Sequence, residues 1–275
     1  MALIQCNFFS QSLMRTVSFQ AILPVDKVVN NQRQQQKEYK TLYLLHGIFG
    51  DCYDWNNGTR IQSWAQERNL VVIMPSGENK FYVDNERTLE YFSKFIGEEL
   101  VEVTRAMFPL SHKREDTFIA GLSMGGYGAI VNGLKYHNTF GYIAGLSSAL
   151  ILEQAIHSKY GDEIPYLNKR TYMESVFGDL NQLKGSDKDY KALILKLKKE
   201  NQPIPHIYLA CGTEDFLINE NHDYRDFLIQ NEVKFTYQEG PGIHNWVFWD
   251  EYIYKVLEWL PLDQSQLSTS SGNVK

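Results

Sequence analysis

The residues best suited to chemistry in this chain lie at Gly121-Leu122-Ser123-Met124-Gly125. A serine hydroxyl is a weak nucleophile until the backbone presents it to a base, and the G-x-S-x-G spacing marks a sharp turn that does so. The flanking glycines let strand and helix approach with no Cβ between them. Alone the pattern is unspecific, because glycine and serine are common in loops. Here a short apolar run over residues 117–120 reads as a buried strand and residues 126–136 read as a helix, which is the context the turn requires. Such a turn exposes the Ser123 hydroxyl. It also aims the Met124 N–H, at a helix N-terminus, toward developing negative charge.

A nucleophilic serine needs a histidine within hydrogen-bond reach, and the histidine needs an acid that fixes its tautomer. On a strand–turn–helix scaffold the chain order is Ser, then Asp or Glu, then His. Seven histidines compete: His46, His112, His137, His157, His206, His222 and His244. Only the last three follow the segment after the serine helix. His206 opens a strand and so lies at the wrong end of the sheet, and His222 sits near a helix start. His244 lies in the glycine-flanked loop after the last strand, which makes it the expected base. For the acid, Glu214 and Asp215 both follow a buried strand. Asp215, beside Phe216-Leu217, is expected to turn inward while Glu214 faces solvent; one residue of register decides between them.

The second oxyanion donor is expected from the first strand-to-helix loop, His46-Gly47-Ile48-Phe49-Gly50, with the Ile48 N–H beside that of Met124. His46 is expected to buttress the loop. Phe49 and Trp246 are the aromatics expected to touch substrate; Tyr53, Trp55, Phe81, Tyr82 and Tyr127 read as core.

The positioning elements follow from the hydrophobic pattern. Residues 16–23 alternate and end at Pro24, as a half-buried antiparallel strand does. Residues 41–45, 70–74, 142–146 and 206–210 are apolar runs of strands buried on both faces, and 233–239 alternate as a last strand. Helices are expected over 61–67, 88–108, 220–230 and 246–260. Strands alternating with helices give an α/β fold with a mostly parallel sheet covered on both sides. A glutamine-rich polar connection over 30–40 reads as a hairpin loop. Residues 149–205 break the rhythm and read as a small cap insertion within a single domain, 1–262. Residues 263–275 read as a disordered tail.

With 275 residues the chain is large enough for one sizeable core. A net charge of −6 argues against a nucleic-acid or anionic-membrane surface. The three cysteines are scattered and form no disulfide framework or metal pair. No signal-peptide pattern or membrane-length apolar run is present. A soluble cytoplasmic protein, with no cofactor and no metal, is the expectation; a homo-oligomer stays open.

With these residues placed, the chain resembles the esterase D-like "Putative esterase" family of the α/β-hydrolases, and within it the bacterial tributyrin esterases. The resemblance rests on Tyr43-Leu44-Leu45-His46-Gly47-Ile48-Phe49-Gly50, Trp55, Val72-Ile73-Met74-Pro75-Ser76 and Phe81-Tyr82. It rests equally on residues 118–128, on Cys211-Gly212-Thr213-Glu214-Asp215-Phe216-Leu217, and on Gly242-Ile243-His244-Asn245-Trp246. These motifs span residues 41–249 in the family's order. The resemblance implies an α/β-hydrolase fold with a Ser123–Asp215–His244 triad, and Ile48 and Met124 as oxyanion donors. It implies a serine carboxylesterase that cleaves small, short-chain acyl esters through an acyl-serine. S-formylglutathione-type thioester hydrolysis and feruloyl or acetyl-xylan esterase activity are the alternatives. A hydrolase-fold binding protein without catalysis is a remote one, opposed by the intact serine, acid and histidine.

Overall fold

The computed structural model describes residues 1–29, 32–33 and 37–263. Residues 30–31 and 34–36 of the expected glutamine-rich loop, and the expected tail beyond Asp263, lie outside the described residues.

Eight strands form one sheet: β1 (Ala2–Ser10), β2 (Arg15–Leu23), β3 (Lys40–Leu45), β4 (Leu70–Pro75), β5 (Thr117–Leu122), β6 (Tyr142–Leu146), β7 (His206–Gly212) and β8 (Phe235–Gly240). Their spatial order is β1-β2-β4-β3-β5-β6-β7-β8. β2 runs antiparallel to both neighbours, and every other pairing is parallel. The parallel strands are buried on both faces because helices cover both. Leu42 and Leu44 point to one face, with Val72, Met74, Phe118 and Ala120, against the helices Ile61–Glu67 and Trp246–Trp259. Tyr43 and Leu45 point to the other, with Val71, Ile73 and Ile119, against Phe92, Phe95, Ile96 and the helix Met124–Lys135. Each such aliphatic side chain contributes about 1.5–3 kcal/mol of burial.

Two expectations are corrected. The sheet does not begin at residue 16: β1 precedes it as an edge strand. Ile4, Cys6 and Phe8 of β1 face inward and Gln5 and Asn7 outward, but exposed Leu3 and Phe9 interrupt this alternation at both ends and blur its signal. The helix expected from residue 88 begins at Phe92 instead. Ahead of it, Asp84–Asn85 pairs with Glu90–Tyr91 across a turn in which Leu89 has φ 56°. Leu89 fits the helical spacing but is exposed, so the period extends past the helix that owns it. That helix also carries a π-helical turn at Phe95–Glu99 before continuing as Leu100–Met107.

The span between β6 and β7 contains the helices Leu152–Ile156, Arg170–Phe177 and Tyr190–Lys199. The lysine-rich Tyr190–Lys199 is amphipathic. Ile194 and Leu197 are buried in the core while Leu195 is exposed, and Asp189 caps its start by accepting from the N–H groups of Lys191 and Ala192. No helix among the described residues is long and apolar enough to cross a membrane.

Glu99, in the π-helical turn, fastens the β1–β2 hairpin to the body. Its carboxylate accepts from the Ser10 hydroxyl (2.7 Å), the Gln11 N–H (2.6 Å) and the Ser12 N–H (3.1 Å). Partial burial pushes the carboxyl up, but these donors outweigh it and its pKa lies below the ordinary 4.5. A group whose pKa is depressed by folding stabilises fully above its unfolded value and loses that contribution as pH falls through the folded one. Glu99→Ala should therefore cost about 1–2 kcal/mol at neutral pH. In thermal melts the gap from the parent protein should narrow progressively below pH 4.5.

Candidate active site

β5 ends at Leu122 and a helix begins at Met124, so Ser123 must turn the chain by itself. It does so at φ 53°, ψ −118°, a conformation that costs a non-glycine residue about 1–3 kcal/mol. Surrounding hydrogen bonds hold it there. The Ser123 N–H donates to the Leu146 carbonyl (2.8 Å), and the Ser123 carbonyl accepts from Tyr127 (3.1 Å) and Ala149 (2.9 Å). The glycines are required by contact. A Cβ on Gly125 would lie 2.4 Å from the Leu45 carbonyl oxygen and 2.5 Å from that of His46, and one on Gly121 would lie 2.3 Å from the Gly125 oxygen.

His244 meets this serine from the loop after β8. Its Nε2 is 2.9 Å from Ser123 Oγ, and its Nδ1 lies 2.9 and 3.1 Å from the two carboxylate oxygens of Asp215. A carboxylate facing Nδ1 holds the proton there, which leaves Nε2 free to accept from the serine. The Asp215 side chain is fully buried. Burial pushes its carboxyl up, but the His244 ring, the Leu217 N–H (2.9 Å) and the Ser147 hydroxyl outweigh it, and the pKa falls below the ordinary carboxylate value. Asp215 is thus an anion matched to an imidazolium formed beside it.

Glu214, the neighbouring carboxylate, takes a different place. Exposed to solvent, it accepts from the Gly242 N–H (2.7 Å) and the Thr213 hydroxyl (2.8 Å). The Glu214 N–H in turn donates to the Gly242 carbonyl at 3.1 Å. Glu214 therefore clamps the loop that carries His244 and does not touch the imidazole.

The loop after β3 closes the other side. Gly47 lies against Ser123, since a Cβ there would sit 3.6 Å from Ser123 Cβ. Ile48 follows directly in the chain, and Met124, as first residue of the serine helix, has an N–H outside the helical ladder. His46 is buried and neutral: its Nδ1 pairs with the Gly47 carbonyl (2.6 Å) while Nε2 faces the Gly77 N–H (2.8 Å). Only an Nδ1–H tautomer satisfies both, and burial lowers its pKa to match. The Tyr82 hydroxyl donates to the His46 carbonyl (3.0 Å), so the loop is pinned at three points.

Of the two aromatics expected at substrate, Phe49 is exposed on this loop at φ 66°, with its N–H on Asn79 Oδ1 (2.7 Å). It borders a cavity of about 450 Å³ with Tyr166 and Tyr172. Trp246 instead packs edge-on to Trp55 and Trp249 and fills the space over Gly58. Trp249 is a residue the sequence reading missed. Its ring stands perpendicular to His244 at 4.9 Å, and its indole N–H donates to Ser147 (3.2 Å). Ser147 and Phe216, the latter 4.6 Å from the His244 ring, were missed as well. Within the sequence all three look like ordinary core or loop residues. His206 stacks on Tyr142 and His222 pairs with Glu239, both away from Ser123.

A mostly parallel eight-stranded sheet in this order, with a strained strand–turn–helix serine facing histidine and aspartate at its C-terminal edge, defines a serine hydrolase of the α/β-hydrolase fold. The chain belongs to the esterase family described as "Putative esterase", whose model matches residues 10–260. A relative named acetyl esterase, from Caldicellulosiruptor saccharolyticus, is 48% identical over 265 residues, covering 94% of this chain and 98% of the relative. Among solved structures, the Staphylococcus aureus fluorophosphonate-binding serine hydrolase FphF superposes with a TM-score of 0.82 at 32% identity. The S-formylglutathione hydrolase FrmB of the same organism superposes at 0.80 and 32%; each comparison covers 94% of this chain and 98% of the other. The protein is a serine esterase.

The different stations of the two adjacent carboxylates are testable. Asp215→Asn should lower kcat about 10⁴-fold, the scale for losing the histidine tautomer. Glu214→Gln should change it little, because the amide oxygen can still accept from the Gly242 N–H. Steady-state hydrolysis of p-nitrophenyl acetate by both variants checks this, and the opposite ranking would exchange their roles.

Proposed function

We propose that Ser123, His244 and Asp215 are the catalytic triad of a carboxylesterase that cleaves small, short-chain acyl esters through an acyl-serine. The observation that carries this reading is the hydrogen-bonded line from Ser123 Oγ through both ring nitrogens of His244 to the buried Asp215 carboxylate.

Ser123 Oγ attacks the ester carbonyl carbon and passes its proton to His244 Nε2. The carbonyl oxygen becomes an oxyanion that accepts from the Ile48 and Met124 N–H groups, each such donor contributing about 3 kcal/mol to the transition state. Collapse breaks the bond to the alcohol, whose oxygen takes the proton from Nε2. Water then attacks the acyl carbon, gives a proton to Nε2, and the free acid leaves as Ser123 recovers that proton. Asp215 stays ionised and stabilises the imidazolium. No cofactor takes part.

The acetyl esterase relative supports a small acyl group. So does the wall beside His244, where Trp246, Trp249 and Trp55 are packed against one another and cannot yield cheaply. Residues 149–205 read as a cap within a single domain, and the three unbridged cysteines support a cytoplasmic protein. Thioester hydrolysis is a second reading, favoured by the likeness to the S-formylglutathione hydrolase of Staphylococcus aureus. Comparing S-formylglutathione with p-nitrophenyl acetate at equal concentration separates the two.

Ser123→Ala should fold normally and lose turnover on the order of a millionfold, since a triad acts as a unit. Intact-mass spectrometry should show a fluorophosphonate adduct on the parent protein and none on the variant; parent-like turnover in the variant would refute the nucleophile. Along a p-nitrophenyl ester series kcat/KM should peak between acetate and hexanoate, each accommodated methylene adding about 0.8 kcal/mol of burial. It should fall at least about tenfold by decanoate, where further carbons must displace packed aromatics. A profile still rising at decanoate would overturn the short-chain assignment.

A further inference from the structure

The three most exposed large apolar side chains lie on chain segments that carry residues of this site. Val247 is 78% exposed, and Phe49 and Phe216 are each 72% exposed, the three highest values among the large apolar residues described. All three belong to site-bearing segments: Phe49 follows Ile48, Phe216 follows Asp215, and Val247 lies in the first turn of the helix behind His244. Ile243, 54% exposed, immediately precedes His244. Single exposed apolar residues need no explanation, but several of them on the segments that carry Ser123's partners are candidates for contact with substrate.

Chemistry decides which half of the ester this surface meets. His244 Nε2 must deliver its proton to the departing oxygen, so that oxygen lies within hydrogen-bond reach of the ring. The carbon chain attached to it then runs beside whatever covers the imidazole. Phe216 does, with its ring 4.6 Å from the His244 ring at 48°. The Leu217 N–H bond to Asp215 holds the backbone behind Phe216 in place. The charged group on this side is Glu214, an exposed carboxylate held by the Gly242 N–H, which disfavours an anionic leaving group.

We infer that Phe216, with Ile243 and Val247, forms a platform for the alcohol half of the substrate, which selects small-acid esters of uncharged, apolar alcohols, flat aryl alcohols above all. The inference rests on the triad reading and adds a leaving-group specificity that the triad does not imply.

The test holds the acyl group at acetate and varies the alcohol within pairs of nearly equal leaving-group basicity: ethyl against hexyl acetate, and phenyl against 2-naphthyl acetate. The parent enzyme should favour the larger member of each pair. Phe216→Ala should cut both preferences about fivefold to tenfold, the scale of one lost aromatic contact. Phe216→Tyr should largely restore them. Fluorophosphonate labelling of Ser123 in each variant reports that the site is assembled. Labelled Phe216→Ala with unchanged ratios would overturn the platform alone; a parent protein that never labels would overturn the triad and the platform together. A dimer that Val247→Asp dissociates, seen by light scattering, would assign the apolar rim to a second copy and also overturn the inference.

Discussion

The fold depends on one close approach: the backbone of the Ser123 turn lies against the backbone at the end of β3. The Leu45 and His46 carbonyl oxygens lie where side chains at Gly121 and Gly125 would have to be. That contact forces Ser123 into its strained conformation and brings the first residue of a helix, with its unused N–H, alongside the β3 loop. The strain persists because the rigid sheet over-determines it. The Ser123 N–H is bonded to β6, and the serine carbonyl to the chain just beyond β6. The nucleophile and both prospective oxyanion donors are thus set by the same backbone packing.

Given a fixed serine, the remaining problem is to hold a histidine that hangs on a loop. Three different interactions do it: Asp215 fixes the ring nitrogen, Trp249 stands against the ring edge, and Glu214 fastens the Gly242 backbone. The first is buried and electrostatic, the second a packing contact, the third an exposed hydrogen bond that water weakens. Their unequal burial orders their importance. A buried charge left without its partner costs several kcal/mol, whereas solvent can replace an exposed clamp's partner. The packed tryptophans also mean that the mouth is rigid on the Trp246 side. Phe49 and Phe216 are by contrast exposed, and Phe49 borders the cavity that Tyr166 and Tyr172 also line.

Much of this was legible without coordinates. Catalysis restricts residue types severely, and an α/β chain returns to the same sheet edge after each strand, so Ser123, an acidic pair and His244 could be picked by type and order. Doubly buried strands such as β3, β4 and β5 announced themselves as unbroken apolar runs. β1 did not, because exposed Leu3 and Phe9 bracket a short alternation, Ile4 to Phe8, and make it read as a mixed apolar stretch. The early start expected for the helix at Phe92 arose from Leu89, a residue in phase with the helix but outside it.

What only the tertiary structure decided was register and direction. Neighbouring Phe216-Leu217 already favoured Asp215 over Glu214, but the choice turns on one residue of rotation after β7, which only the packed structure fixes. That Trp246 fills the space over Gly58 while Trp249 faces the imidazole depends on where the helix Trp246–Trp259 meets the sheet. The sequence by itself narrowed the candidate reactive groups to a few residue types in a fixed order. Which neighbours orient them was decided by packing between segments distant in the chain, because a side chain's direction is fixed only when the surfaces on both sides of it are in place.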